Sequence, residues 1–122
     1  MVEVISVDGV NYVREDTIEI KKKAEKLDGL EYVIVRTYSA GVFAGYLKAR
    51  SNQEVVLKRA RRIWHWEGAA SLSQMAVDGV SKPNKCKFPC EVDEITLLQA
   101  IEVIPCTLEA QESIQGVPIW KM

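Results

Sequence analysis

The stretch LEYVIVRTYSAGVFAGYLKARSNQEVVLKRARRIWHW, residues 30–66, alternates runs of β-branched and aromatic residues with short polar segments. Such runs, bounded by Gly, Ser, Asn and Asp, are typical of β-strands joined by turns. We predict a meander, with strands over 32–38 and 42–50, one or two more within 54–66, and turns at 39–41 and 51–53. Gly45 in the middle of the second strand indicates a bulge or a close backbone approach.

The flanking segments predict a hairpin, two helices and returning strands. Residues 2–14 contain two β-rich runs around Asp8-Gly9, a pair typical of a two-residue hairpin turn. Residues 17–28 are expected to be helical or linker-like, with Gly29 as the C-cap. The remaining predicted elements are a helix after Ser71 that ends at Gly79, strands over 87–92 and 94–104, and a helix over 108–115 capped by Thr107 and closed by Gly116.

These elements predict an α+β fold that is mostly β. We expect an antiparallel curled sheet or a small open barrel, with two short helices packed on it. The chain has 122 residues, which favours one main domain. Residues 1–30 are expected to form an N-terminal hairpin and helical arm, and residues 31–122 a β-rich ligand-binding domain.

Charge is distributed unevenly along a nearly neutral chain. The net charge is -1, so the whole molecule is not drawn to nucleic acid or to an anionic membrane. Residues 58–87 carry seven Lys or Arg side chains, whereas residues 91–120 carry none. The basic zone therefore predicts a surface for an anionic ligand.

The three cysteines are Cys86, Cys90 and Cys106. Because we find no N-terminal signal and no apolar run of roughly 20 residues, we expect a reducing host-cell cytoplasm and free thiols. Together with His65 they allow a Cys3His zinc site by number, but ordinary buried or half-exposed thiols are favoured. We expect no metal and no cofactor.

The sequence is poor in catalytic patterns. Its one histidine, His65, lies between two tryptophans and far in sequence from every cysteine. There is no GxSxG, P-loop or GxGxxG motif. Asp93 and Glu94 are adjacent and would point to opposite faces of a strand. We therefore expect a binding protein and not an enzyme.

The stretch KRARRIWHWEGA, residues 58–69, carries the predicted ligand face. On a regular strand Arg62, Trp64 and Trp66 share one face, whereas Arg61, Ile63 and His65 share the other. Indoles stack on bases, and guanidinium groups bind phosphate through paired hydrogen bonds. The alternative is that both tryptophans are core residues and the arginines protect a sheet edge. Taken alone, the stretch favours this alternative, but the helix start at Ser71 and the lysines of residues 82–87 add further anion contacts.

Four sequence patterns occur in this order between residues 31 and 114: AGVxAGxL, ARRxWxW, LSxxAxxGV and AIExIP. In this respect the chain resembles small phage-encoded proteins of the anti-Thoeris sponge type. The resemblance implies a non-catalytic protein that sequesters a cyclic ADP-ribose isomer or a cyclic di- or trinucleotide, and so antagonises host anti-phage defence (Thoeris or CBASS). It also implies a homo-oligomer, a dimer or a hexamer, with ligand sites between subunits.

The resemblance further implies a set of site residues. An aromatic residue that stacks on the base corresponds to Trp64, and Ser71 keeps the hydroxyl at the helix cap. Ala70 stands where the family has Asn, and Lys87 stands where it has Arg, so two polar contacts differ. The candidate ligand-binding residues are Arg61, Arg62, Trp64, Trp66, Ala70, Ser71 and Lys87. Two other functions stay open: a single-stranded nucleic-acid-binding barrel, which the net charge disfavours, and an interaction module without a small ligand.

Overall fold

The computed structural model describes residues 21–122 and the backbone of two short strands before them. These strands, β1 (Ile5–Val7) and β2 (Val10–Tyr12), pair antiparallel with Val7 opposite Val10. The predicted pairing of the two N-terminal runs is thus confirmed. The predicted turn residues, Asp8 and Gly9, and residues 17–20 of the predicted arm lie outside the described residues.

Five strands form the main sheet, in the order β6-β5-β4-β3-β7 with every neighbour antiparallel. The strands are β3 (Tyr32–Thr37), β4 (Val42–Ser51), β5 (Glu54–Ile63), β6 (Val92–Leu97) and β7 (Ala100–Pro105). The helices are α1 (Leu72–Asp78), α2 (Leu108–Gly116) and a short 3-10 turn at Pro83–Lys85. In the part of the chain that the structure describes, no helix has the length and apolar character to cross a membrane.

The sheet curls until its two edge strands meet at one end. Only Leu98 and Gln99 connect β6 to β7, although these strands lie at opposite edges. The last residue of β6 pairs with Val55 on β5, and the first residue of β7 pairs with Thr37 on β3. The sheet stays unclosed along the rest of these edges. The predicted α+β, mostly β fold with a curled antiparallel sheet is confirmed.

Both faces of the sheet are buried, which explains the nearly continuous apolar runs of the meander. The inner face of the curl encloses a cluster that includes Val33, Val35, Phe43 and Leu57. The outer face packs on both helices through a second cluster, which includes Ile34, Met75, Phe88 and Ile114. Burying apolar surface on both faces supplies the main driving force for the fold.

The helix ends follow the local sequence. The Ser71 hydroxyl accepts a hydrogen bond from the Gln74 amide at 3.1 Å, and α1 ends at Gly79, where φ is 77°. Thr107 caps α2 by accepting from the Ala110 amide at 3.1 Å. Such caps satisfy amides that have no partner within the helix. Both helices are confirmed at their predicted starts.

Residues 17–28 are predicted to be helical or linker-like, and for their described part the helical alternative is wrong. Residues 21–30 contain isolated bridges and a turn but no helix, and Leu27 and Leu30 exchange two backbone hydrogen bonds around Asp28-Gly29. Both turn residues have positive φ, so Gly29 belongs to a tight turn and is no C-cap. This segment lies beside the start of α2, because the Ala24 amide donates to the Cys106 carbonyl at 3.1 Å and the Leu108 amide donates to the Lys22 carbonyl at 2.9 Å.

The predicted strands over 87–92 and 94–104 have wrong boundaries. Residues 87 and 88 form only isolated bridges, to His65 and Ile119 respectively, and β6 begins at Val92. The long second run is broken at Leu98-Gln99, where Gln99 adopts a φ of 57°. Neither residue belongs to the Gly, Asn and Asp set that favours such a turn, so the local sequence hides the break.

Candidate functional site

A bulge between β4 and β5 decides which way the arginines of residues 58–69 point. Tyr46 pairs with Lys58 and Ala44 pairs with Arg61, so Gly45 alone faces the two residues Arg59 and Ala60. Arg59 has a φ of 50°. The bulge predicted at Gly45 is confirmed. The extra residue shifts the side-chain alternation, so that Leu57 and Ala60 both lie on the inner face.

Arg61 consequently points to the outer face and is buried, with 4% of its surface exposed. Its Nε donates to the Pro89 carbonyl at 2.9 Å, its Nη1 to the Ile114 carbonyl at 2.9 Å, and its Nη2 to the Phe88 carbonyl at 3.1 Å. The guanidinium also lies 5.4 Å from the Phe88 ring centroid. Arg61 therefore ties β5 to α2 and to the segment before β6, beneath the predicted ligand face and not on it.

Arg62 points to the inner face of the curl. Its guanidinium lies 4.4 Å from the Phe43 ring centroid, and Nη1 donates to the Ala40 carbonyl at 2.7 Å. It borders an open groove of about 570 Å³ at the end of the sheet, lined also by residues 39–40 and 95–99. Arg62 covers the end of the inner core, and this position separates it from Trp64.

A second irregularity follows directly after β5. The Trp64 and His65 amides both donate to the Lys87 carbonyl, at 3.2 and 3.3 Å, while the Lys87 amide donates to the His65 carbonyl at 2.8 Å. Two residues thus oppose one, which is the pattern of a β-bulge. Trp64 and His65 are both exposed, between buried Ile63 and half-buried Trp66.

This second bulge makes the predicted division of faces wrong for two residues. Trp66 packs against the same outer cluster as Ile63, and its Nε1 donates to the Ala69 carbonyl at 3.2 Å. His65, expected to pack inward, lies at the surface with its Nε2 3.3 Å from a carboxylate oxygen of Glu67. Of the predicted face Arg62, Trp64 and Trp66, only Trp64 presents most of its ring to solvent.

Trp64 belongs to an exposed group that we call the aromatic rim, formed by Trp64, His65, Lys87 and Trp120. The segment 87–88 lies between the two tryptophans: it bonds to Trp64 on one side, and the Trp120 amide donates to the Phe88 carbonyl on the other. The Lys87 Nζ lies 5.7 Å from the Trp120 ring centroid. Trp64 is 63% exposed and Trp120 is 42% exposed. Residues distant in sequence thus present two exposed indoles, one on each side of the segment that carries Lys87.

Sequence reasoning missed Trp120. The only local signal is a tryptophan next to Lys121 near the end of the chain, after Gly116 and Pro118. Its place on the rim depends on the parallel bridge between Phe88 and Ile119. No periodic pattern in the sequence predicts this pairing.

The basic zone of the sequence divides into paired and unpaired cations. Lys58 lies 3.1 Å from an Asp93 carboxylate oxygen, and Arg59 lies 3.2 Å from one of Glu91. Both cations have a raised pKa, chiefly because of these hydrogen bonds. Within residues 21–122, by contrast, no carboxylate pairs with the exposed lysines Lys82, Lys85 and Lys87. Among the lysines of the basic zone, those without a carboxylate partner in the described residues therefore lie on the loop that leads to the rim.

Ala70 and Ser71 serve the start of α1. The Ala70 amide donates to the Gln74 side-chain oxygen at 2.7 Å, and Ser71 caps the helix. Among the hydrogen bonds of the described residues, none links Ala70 or Ser71 to the rim. The structure brings together Trp64 and Lys87 of the predicted site residues. It gives Arg61, Arg62 and Trp66 separate packing contacts.

The cysteines do not assemble with His65. Cys86 and Cys106 are buried, and Cys90 is exposed. Burial raises the pKa of the Cys106 thiol to about 12. No group of three or more His, Cys, Asp or Glu side chains within the described residues has the spacing to hold a metal ion.

Comparison with known proteins gives one match. The model of a family described as a domain of unknown function, DUF6948, matches residues 30–114. These residues run from the turn before β3 into α2 and include the sheet, α1, Trp64 and Lys87. No curated protein and no solved structure matches the chain.

Proposed function

The chain belongs to the DUF6948 family, and we propose that it binds a nucleotide on the aromatic rim and sequesters it without converting it. The resemblance to the anti-Thoeris sponge proteins makes a cyclic nucleotide immune signal the proposed ligand. The proposed ligand class comprises cyclic ADP-ribose isomers and cyclic di- and trinucleotides. In this proposal the protein acts in the host cytoplasm as a phage anti-defence factor.

The observation that carries the proposal is the exposed Trp64 ring on a segment whose backbone pairs with that of Lys87. A folded protein gains by burying a large aromatic ring, so a tryptophan that is 63% exposed leaves apolar surface available for a ligand. Stacking of a base on such a ring contributes roughly 1–3 kcal/mol. Three backbone hydrogen bonds fix the Lys87 segment beside residues 64–65, so neighbouring segments carry the stacking surface and the cation.

The loop lysines supply the second requirement of a nucleotide ligand. Lys82, Lys85 and Lys87 are exposed and form no ion pair with a carboxylate of the described residues. Ammonium groups bind phosphate as point charges, and the indoles meet the base. A micromolar complex requires about -8 kcal/mol, which stacking on one or two rings with two or three phosphate contacts can reach when the site is preorganised.

An open rim covers one face of a base only. We infer that a second copy of the chain covers the other face, in a homodimer or a hexamer. This part of the proposal rests on the resemblance and on the exposure of both Trp64 and Trp120. Closing the site between subunits would exclude water and slow ligand release, as sequestration demands.

The proposal is tested by incubating the purified protein with a panel of cyclic nucleotides, followed by filtration, heating and mass analysis of what is released. We expect intact ligand to be recovered after denaturation. Trp64→Ala should lose retention, whereas Trp64→Phe, which keeps a ring for stacking, should keep part of it. Recovery of a chemically changed product would show that the protein is an enzyme and would contradict sequestration. Failure to retain any member of the panel would overturn the proposal.

The unpaired lysines also favour a second candidate, binding of single-stranded nucleic acid along the loop and rim. This candidate predicts that affinity grows with oligonucleotide length and falls steeply with salt. A cyclic nucleotide of fixed size has no length dependence. Titration of the protein with fluorescent oligonucleotides of increasing length, at two salt concentrations, separates the two candidates.

A further inference from the structure

A cleft of about 350 Å³ lies over the side chain of Arg61, apart from the aromatic rim. Its lining residues are Arg61, Cys90, Glu91, Gln115, Val117 and Ile119. Two segments run from the rim to the cleft: one carries Lys87 at the rim and Cys90 at the cleft, and the other carries Trp120 at the rim and Ile119 at the cleft. They lie side by side because Phe88 and Ile119 form a parallel bridge. The rim and the cleft are therefore neighbouring but different surfaces.

Arg61 brings to the floor of this cleft a charge that forms no ion pair with the described residues. All three of its hydrogen bonds go to backbone carbonyls, and no carboxylate of the described residues lies within ion-pair distance. A buried charge is costly when no opposite charge accompanies it. The same burial lowers the pKa of the guanidinium. Glu91 at the cleft offsets part of this effect but is itself bonded to Arg59, so an anion on Arg61 would supply a closer counter-charge.

The guanidinium also has donors to spare. It carries five N–H groups, of which the three carbonyls of the described residues use one on each nitrogen. One N–H thus remains on each terminal nitrogen. Two N–H groups on adjacent nitrogens are the arrangement that binds the two oxygens of a carboxylate.

The other lining groups restrict what such an anion is. Val117 and Ile119 give the cleft an apolar wall, and the Gln115 amide, which donates to the Tyr46 hydroxyl at 3.0 Å, is held at its side. Glu91 places a negative charge at the same cleft, although Arg59 holds it at 3.2 Å. A second negative charge on the ligand would meet this carboxylate.

From this arrangement we propose that the cleft binds a small monocarboxylate with a short apolar chain, its carboxylate on Arg61 and its chain against Val117 and Ile119. A volume of about 350 Å³ is at the lower end of ligand pockets and fits a molecule of this size. The ligand is a single anion and is distinct from a nucleotide, whose phosphates and base fit the rim.

Cys90 provides a direct probe, because it lines the cleft and is exposed while Cys86 and Cys106 are buried. The rate at which N-ethylmaleimide, a neutral reagent, labels Cys90 is measured with sodium pentanoate or with the neutral pentanamide, at ionic strength matched with sodium chloride. We expect pentanoate at about ten times its dissociation constant to slow labelling about tenfold, because only the free cleft reacts. Pentanamide should leave the rate unchanged.

A variant that removes a negative charge from the cleft should strengthen pentanoate binding. Glu91→Gln removes the competing carboxylate and frees Arg59, so the pentanoate concentration that gives half protection should fall about threefold, in the range of exposed charge pairs. Glu112→Gln, an exposed glutamate of α2 that does not line the cleft, is the matched control and should not change it. Equal protection by pentanoate and pentanamide would overturn the proposal. The proposal would also be overturned if pentanoate gave no protection at about 100 mM, which is about a hundred times a millimolar dissociation constant, as expected for a weak small ligand.

Discussion

Gly45 lies so close to Lys58 on the neighbouring strand that a Cβ at Gly45 would be 3.0 Å from the Lys58 carbonyl oxygen and 3.1 Å from the Ala60 Cα. This approach is the centre of the bulge that turns Arg61 outward and Arg62 inward. Since both contacts are with backbone atoms, neither can move aside cheaply. The absence of a side chain at Gly45 therefore fixes where two arginines point.

Gly45→Ala is expected to lower the free energy of unfolding by about 1–3 kcal/mol, the usual cost of forcing extra atoms into a packed interior. Urea denaturation followed by tryptophan fluorescence measures the change. Gly116→Ala is the matched control, because a Cβ there has no atom within 4 Å. Equal effects of the two substitutions would show that the close approach at Gly45 has no energetic weight.

The sequence predicts local structure wherever one residue has one clear role. Ser71, Thr107 and Gly45 each carry a cap or bulge that the structure confirms. The faces of residues 61–66 could not be predicted, because two bulges in eight residues each shift the alternation on which a strand interpretation depends. The second bulge depends on the pairing with Lys87, and Trp120 reaches the rim through Phe88, so both depend on tertiary contacts and not on local pattern.

Arg61→Met should be strongly destabilising, by about 3 kcal/mol or more, because it removes three hydrogen bonds from a charged donor, two of them buried. Arg62→Met is the matched control, because it makes the same substitution at the next residue of β5. It removes one hydrogen bond and one contact with the Phe43 ring, and we expect a loss of about 1 kcal/mol. Urea denaturation of both variants tests the difference. A larger loss for Arg62→Met would contradict the role of Arg61 as the tie between β5, α2 and the segment before β6.

Alkaline pH should destabilise the protein through Cys106. Burial raises the pKa of its thiol from 9.0 to about 12, so above pH 9 the unfolded chain loses this proton while the folded protein keeps it. The contribution is therefore fully present below pH 9 and is lost as the pH rises toward 12. In this window the free energy of unfolding should fall by up to about 1.4 kcal/mol per pH unit from this one group.

The measurement is urea denaturation at pH 8, about 9.5 and about 10.5, the last two chosen within the titration window of the thiol, for the wild type and for Cys106→Ala. The variant lacks the thiol and should show a shallower decline, whatever its stability at pH 8. Burial, and next Cys106, raise the pKa of Tyr32, which is present in both proteins, so the difference in slope reports the thiol together with its effect on Tyr32. Identical slopes would show that the thiol titrates alike in both states.

Trp64 and Trp66, two residues apart in sequence, should respond to truncation in opposite ways. Trp66 packs on the outer core and bonds to the Ala69 carbonyl, so Trp66→Ala should lower the free energy of unfolding by about 2 kcal/mol or more. Trp64 lies largely in solvent, and Trp64→Ala should change stability by about 0.5 kcal/mol or less, as at most surface positions. Its predicted effect is on nucleotide retention, which should fall tenfold or more at about 1.4 kcal/mol of lost stacking. Urea denaturation and the retention assay on the same preparations separate these roles. A Trp64→Ala protein that is destabilised like Trp66→Ala, or that retains ligand like the wild type, would make Trp64 a packing residue.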